Sequence, residues 1–143
     1  KMMMKVQDPP KAAILSAKLP HLQAWTRRRQ AVARAYDEQL AETPGLTLPI
    51  VAEGREHVYH LYVVRHERRD ALAAHLAARG IQTVINYPVA LPFLPAYARF
   101  GHTPADFPNA HHNQSRVLSL PIFAEMTHEQ IDAVVAAVRS FPA

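Results

Sequence analysis

Apolar positions recur at steps of three and four in the opening part of the chain and alternate in its middle, so the pattern predicts helices first and strands after them. Ala12, Ala13, Ile14, Leu15 and Leu19 make an apolar turn and a half of helix starting at Lys11. Pro20 then either kinks the rod or opens a second helix in its first turn. Leu22, Trp25, Arg29, Val32, Tyr36 and Leu40 carry a continuous stripe that stops at Thr43-Pro44-Gly45. Leu46 to Val51 reads as a short strand, and its Pro49 places it at a sheet edge. His57 to His66 alternates with apolar residues on both faces, as a central strand does. Arg68 to Arg79 carries Leu72 and Leu76 at helical spacing, and Gly80 stands where a left-handed cap belongs. Ile81 to Tyr87 is a further predicted strand.

The last third begins with a loop, residues 88 to 108, dense in proline and aromatic rings, with one helical turn expected around Leu94 to Phe100. Asp106 is placed to cap a helix over Phe107 to Leu118, with Pro108 in its first turn. Ser119 to Pro121 reads as a short extended segment. Thr127-His-Glu-Gln130 has the form of a capping box, followed by Ile131, Val134, Val135 and Val138 on one helical face. This order predicts an α+β fold, a small, mostly antiparallel sheet with helices packed against it. Residues 1–10 lack periodicity and read as an arm, either a ragged start or an artificial remnant. Residues 11–143 then form one domain, with 11–43 as a helical scaffold and 46–143 supplying the sheet and its helices.

Composition narrows the classes. With 143 residues, 49% of them hydrophobic and 20% charged, the chain suits one soluble globular domain. No apolar run approaches the roughly 20 residues that a membrane span requires. Cysteine is absent, which removes disulfides, thiol nucleophiles and thiolate metal sites, and together with the lack of a span it fits the cytoplasm. A net charge of +4 raises the possibility of nucleic acid, but Arg27, Arg28, Arg29 and Arg34 are interleaved with Trp25, Val32 and Tyr36 as the wet face of a helix would be. No nucleic-acid partner is expected.

Nine histidines invite a metal reading. On a strand, His57 and His60 would point to opposite faces, and the adjacent His111 and His112 on a helix diverge by about 100°. No metal site is therefore expected. The serines lack a strained nucleophile elbow, and no glycine-rich phosphate cradle is present. Lysine is confined to positions 1, 5, 11 and 18. What remains is the stretch 84–97: Asn86 and Tyr87 end a predicted strand, Pro88 stiffens the exit, and Phe93 and Tyr97 follow. Polar tips and rings presented on a rigid edge suit a substrate wall. The same composition fits rings packed beneath a proline-rich loop.

Several motifs, in one order, extend over nearly the whole chain: Ala12-Ala-Ile-Leu-Ser-Ala-Lys-Leu19, the arginine-rich run Trp25 to Tyr36, His57-Val-Tyr-His-Leu-Tyr-Val-Val-Arg65, Ala78-Arg-Gly-Ile81, Tyr87-Pro88, Pro95-Ala-Tyr97, Asp106-Phe-Pro108, Leu118-Ser-Leu-Pro121 and Thr127-x-Glu129-Gln130. This series resembles the small C-terminal domain of the DegT family, pyridoxal-phosphate (PLP) aminotransferases of fold type I that aminate nucleotide-linked keto-sugars. The resemblance implies a homodimer with active sites between subunits and a ping-pong exchange in which an amino acid, commonly glutamate, is the donor. It places the cofactor lysine and the aspartate paired with the pyridine nitrogen in a large N-terminal domain. The small domain then closes the site, excludes water and contacts the sugar nucleotide.

Two departures stand out. Many members carry His-Tyr-Pro and a second histidine after Pro-Leu, where this chain has Asn86 and Pro92. The family's Asn-x-Arg-Leu/Met-Asp segment corresponds here to Val6-Gln-Asp-Pro-Pro10. The resulting expectation is the C-terminal part of such an aminotransferase, catalytically incomplete alone and with no catalytic residue of its own. Asn86, Tyr87 and Tyr97 would contact substrate, and no covalently held cofactor is expected. Its partners would be the missing large domain or a homodimer partner, with nucleotide sugar and amino-acid donor in the complete enzyme. The alternative is a non-catalytic binding or assembly domain derived from that fold.

Overall fold

The computed structural model describes residues 9–142. Residues 1–8 of the expected arm, including Val6-Gln-Asp8, lie outside the described residues. Helix α1 spans Pro9–Lys18, so it opens two residues before the expected start, on a pair of prolines that the unbonded first turn tolerates. A 3-10 turn over Leu19–His21 contains Pro20 and joins α1 to α2, Leu22–Leu40. The two halves of α1–α2 differ in environment. Val32, Ala33, Tyr36 and Leu40 are buried, whereas Ile14, Leu15, Leu19 and Leu22 are 57%, 67%, 67% and 53% exposed.

The sheet has three antiparallel strands in the order β1 (Leu46–Thr47), β2 (Tyr62–His66), β3 (Val117–Leu120). β2 is central as expected and β1 lies at an edge. Leu46 pairs with His66, and Tyr62 and Val64 pair with Leu120 and Leu118. Since paired residues share a face, Tyr62, Val64, Leu118 and Leu120 form one apolar surface. Helices α2, α3 (Arg69–Ala77) and α5 (His128–Arg139) cover it. Tyr36, Leu40, Tyr62, Val64, Leu72, Leu76, Leu118 and Val138 are almost wholly removed from water, each aliphatic side chain contributing about 1.5–3 kcal/mol.

Helix ends follow their sequence signals where the chemistry is local. Gly80 takes φ +74°, and the amides of Gly80 and Ile81 donate to the carbonyls of Ala77 and Leu76, closing a Schellman cap on α3. At α5 the Gln130 amide donates to Thr127 Oγ1 at 3.3 Å while the Thr127 amide donates to Gln130 Oε1 at 3.0 Å. Both halves of the capping box are therefore formed.

Four elements differ from expectation. The strand expected over Leu46 to Val51 pairs only over Leu46–Thr47. The strand expected from His57 begins only at Tyr62, because Tyr59 adopts φ +49° and its amide donates to His57 Nδ1 at 2.9 Å. That turn brings the Tyr59 ring beside Tyr62, with centroids 6.1 Å apart. Ile81 to Tyr87 is not a strand: it meets the sheet through one antiparallel bridge, Val84 with Ser119. The helix expected over 107–118 is shorter, α4 being Pro108–Gln114, and Val117 to Leu120 pairs with β2 instead. Asp106 does not cap α4. Its carboxylate accepts from the Thr103 amide and hydroxyl at 2.7 and 2.8 Å, and these bonds hold its pKa below the usual carboxylate value.

Candidate substrate wall

Arg29 shows how the helical scaffold reaches the loops. The triple-arginine run reads as a solvated face, and Arg27 and Arg28 are exposed. Arg29 instead falls on the buried stripe. Its guanidinium donates to the carbonyl oxygens of Ile122 at 3.0 Å, Tyr59 at 3.4 Å and His60 at 3.5 Å. The signal was its place in the stripe, seven residues before Tyr36 and three before Val32.

The segment that follows the Val84 bridge carries the expected contact residues. Asn86 is half-buried, and the peptide bond joining it to Tyr87 is cis. Tyr87 is 76% exposed and Tyr97 36% exposed. Neither ring is in the core, so the reading of them as rings beneath a loop does not hold for this pair. Phe93 is half-buried and meets His111 of α4 edge-on at 5.5 Å. Two 3-10 turns, Leu91–Phe93 and Pro95–Phe100, each with proline near its start, shape the loop, and Gly101 ends the second at φ +63°.

The structure places Asn86 and Tyr87 together and sets Tyr97 in a different group. Tyr97 stacks on Phe100 at 6.2 Å, Phe100 on His102 at 5.6 Å, and His102 meets Phe107 edge-on at 5.0 Å. The Arg99 guanidinium lies 4.7 Å from the Phe100 centroid. This exposed ladder was not singled out in the sequence. Its signal is the aromatic spacing around Gly101, fixed by the Thr103–Asp106 turn. A cleft of about 610 Å³ lies elsewhere, lined by Leu22, Trp25, Arg29, Val58, His60 and Glu125 among others.

Lys11 and Lys18, the lysines among the described residues, lie exposed on α1, Lys18 at the edge of this cleft, and no lysine follows position 18. A lysine held against a cofactor ring needs a desolvated pocket. Among the described residues, no group of three histidine, aspartate or glutamate side chains could hold a metal. His66 is buried against Phe141 and accepts from the Arg68 amide at 2.9 Å, and burial with the nearby Arg68 charge lowers its pKa. No helix among the described residues is long and apolar enough to cross a membrane.

The helix-backed antiparallel sheet and its ordered motifs define a domain of PLP-dependent aminotransferases. Residues 3–139 match the DegT/DnrJ/EryC1/StrS aminotransferase family, and the chain belongs to it. It is 42% identical over 134 residues to the dTDP-3-amino-3,4,6-trideoxy-alpha-D-glucose transaminase of Streptomyces venezuelae, covering 94% of this chain and 35% of that protein. It is 41% identical over 133 residues to the erythromycin biosynthesis sensory transduction protein EryC1 of Saccharopolyspora erythraea, covering 93% and 36%. The crystal structure of S. venezuelae DesV superposes with a TM-score of 0.86 at 44% identity, over 90% of this chain and 34% of that one. The chain spans about a third of the length of the curated relatives it matches.

Proposed function

We propose that this chain acts as the C-terminal small domain of a cytoplasmic PLP-dependent aminotransferase that moves an amino group from an amino acid such as glutamate to a nucleotide-linked keto-deoxysugar. The observation that carries this reading is an exposed polar and aromatic loop, Asn86 to Tyr97, on a fold superposing on DesV with a TM-score of 0.86. When bound, PLP supplies the electron sink for transamination, and its lysine belongs to the large domain. The share of this chain is to close the site. The Asn86 amide and the Tyr87 phenol offer hydrogen bonds to the sugar nucleotide, and the Tyr97 ring offers an apolar surface. With no opposing wall of its own, the chain is catalytically incomplete until a large domain and a homodimer partner complete the cleft.

A chimera tests this. The chain replaces the matching third of the S. venezuelae transaminase, and PLP absorbance, dimer mass and amination of dTDP-linked keto-sugars are measured beside the isolated chain. An active chimera and an inert isolated chain are expected. Covalent PLP capture with turnover by the isolated chain overturns the reading, as does a chimera that dimerises and binds PLP but aminates no keto-sugar. The exposed row Ile14, Leu15, Leu19 and Leu22 favours a second reading, a self-associating domain without catalytic duty. A monodisperse oligomer in light scattering that ignores nucleotide sugars favours it.

A further inference from the structure

The loop carrying Asn86 and Tyr87 is tied down from behind by α4. The Ala90 amide donates to Gln114 Oε1 at 2.8 Å, and the Ala90 carbonyl accepts the Phe93 amide at 2.9 Å. Ala90 is therefore held on both sides at the point where the loop enters its first 3-10 turn. His111 stands three residues before Gln114, which puts both on one face of α4, and its ring meets Phe93. The end of α4 is fixed in turn by the buried Arg69, whose guanidinium donates to the Val117 carbonyl at 3.0 Å and the Gln114 carbonyl at 3.4 Å.

We infer that Gln114 is a positioning residue for substrate specificity, fixing through Ala90 the distance of Asn86 and Tyr87 from the sugar nucleotide. The inference rests on the role proposed for the loop. The geometry requires a side-chain acceptor at this reach: asparagine is one methylene too short, and leucine fills the space without an acceptor. Glutamate keeps an acceptor at the same reach.

The test has two arms. In the 143-residue chain, amide exchange at Ala90 is followed by NMR. Gln114→Leu is expected to speed it several-fold, up to about tenfold, as loss of one net hydrogen bond implies. Gln114→Glu stays within about twofold, since its carboxylate still accepts from the amide. In the chimera, Gln114→Leu raises KM for the nucleotide sugar several-fold with kcat and the amino-donor KM unchanged, and Gln114→Glu restores it. If Gln114→Leu does not fold, Gln114→Met takes its place. Unchanged exchange at Ala90 overturns the anchoring. Faster exchange with an unchanged KM, or an equal loss in kcat and both KM values, overturns the positioning role. An inactive parent chimera that dimerises and binds PLP overturns the functional reading instead, and with it any role in specificity.

Discussion

Replacing Arg29 by methionine separates an interior clasp from a solvated charge. The substitution keeps most of the aliphatic stem and removes the donors to Ile122, Tyr59 and His60. Only the 3.0 Å bond to Ile122 has the length of a well-made hydrogen bond, and the two at 3.4 and 3.5 Å contribute little. A bond from a charged donor is worth about 1.5–3 kcal/mol, and Arg29 is half-buried, so solvent replaces part of what is lost. The expected cost is about 1–2 kcal/mol. At a urea slope of about 2 kcal/mol/M this lowers the midpoint by about 0.5–1 M. Trp25, the sole tryptophan, lies one helical turn before Arg29 and reports unfolding by fluorescence. Arg27→Met, on the exposed face, is the control and is expected to stay within about 0.5 kcal/mol of the parent. Equal midpoints for the two variants refute the clasp.

Tyr62→Phe removes the hydroxyl that donates to Asp37 Oδ1 at 2.6 Å, and a loss of about 1–3 kcal/mol is expected in the same urea assay. Thr127→Ala opens the capping box of α5 and should cost about 1 kcal/mol, with Thr127→Ser restoring most of it. For His66, burial lowers the folded pKa below the ordinary 6.5. The folded state therefore resists protonation, and stability that is complete above 6.5 is lost as pH falls through the folded pKa. The urea midpoint should drop below pH 6.5, and His66→Gln, which keeps an acceptor for the Arg68 amide without titrating, should flatten that drop. An identical pH dependence in both proteins would show that His66 is not its source.

Elements specified by neighbouring residues were legible in the chain itself. The α2 stripe, the glycine cap after α3 and the capping box of α5 each follow from side chains within one turn of where they act. The errors came where a local turn or a distant partner overrides the pattern. His57 to Tyr62 alternates like a strand, yet Tyr59 turns the backbone at φ +49° and its amide donates to the His57 imidazole. Val117 and Leu118 continue a helical apolar pattern, yet β2 offers them a ladder, and that pairing prevails. Ile81 to Tyr87 also reads as a strand, but only its Val84 pairs with the sheet, opposite Ser119. Of the candidate wall, the sequence singled out Tyr87 and Tyr97 but left their exposure open, and Gln114 was invisible because its partner is the backbone of Ala90, 24 residues away.

No residue between Ala77 and Val117 is buried in the hydrophobic core. Changes to the loop therefore leave the determinants of folding almost untouched, and the chain can alter what it touches without altering whether it folds. Under the role proposed for the loop, side chains can be exchanged at Asn86, Tyr87 or Pro92 while α2, α5 and the sheet stay constant. For protein engineering, the same separation makes residues 86–107 a cassette in which broad randomisation should yield mostly folded variants.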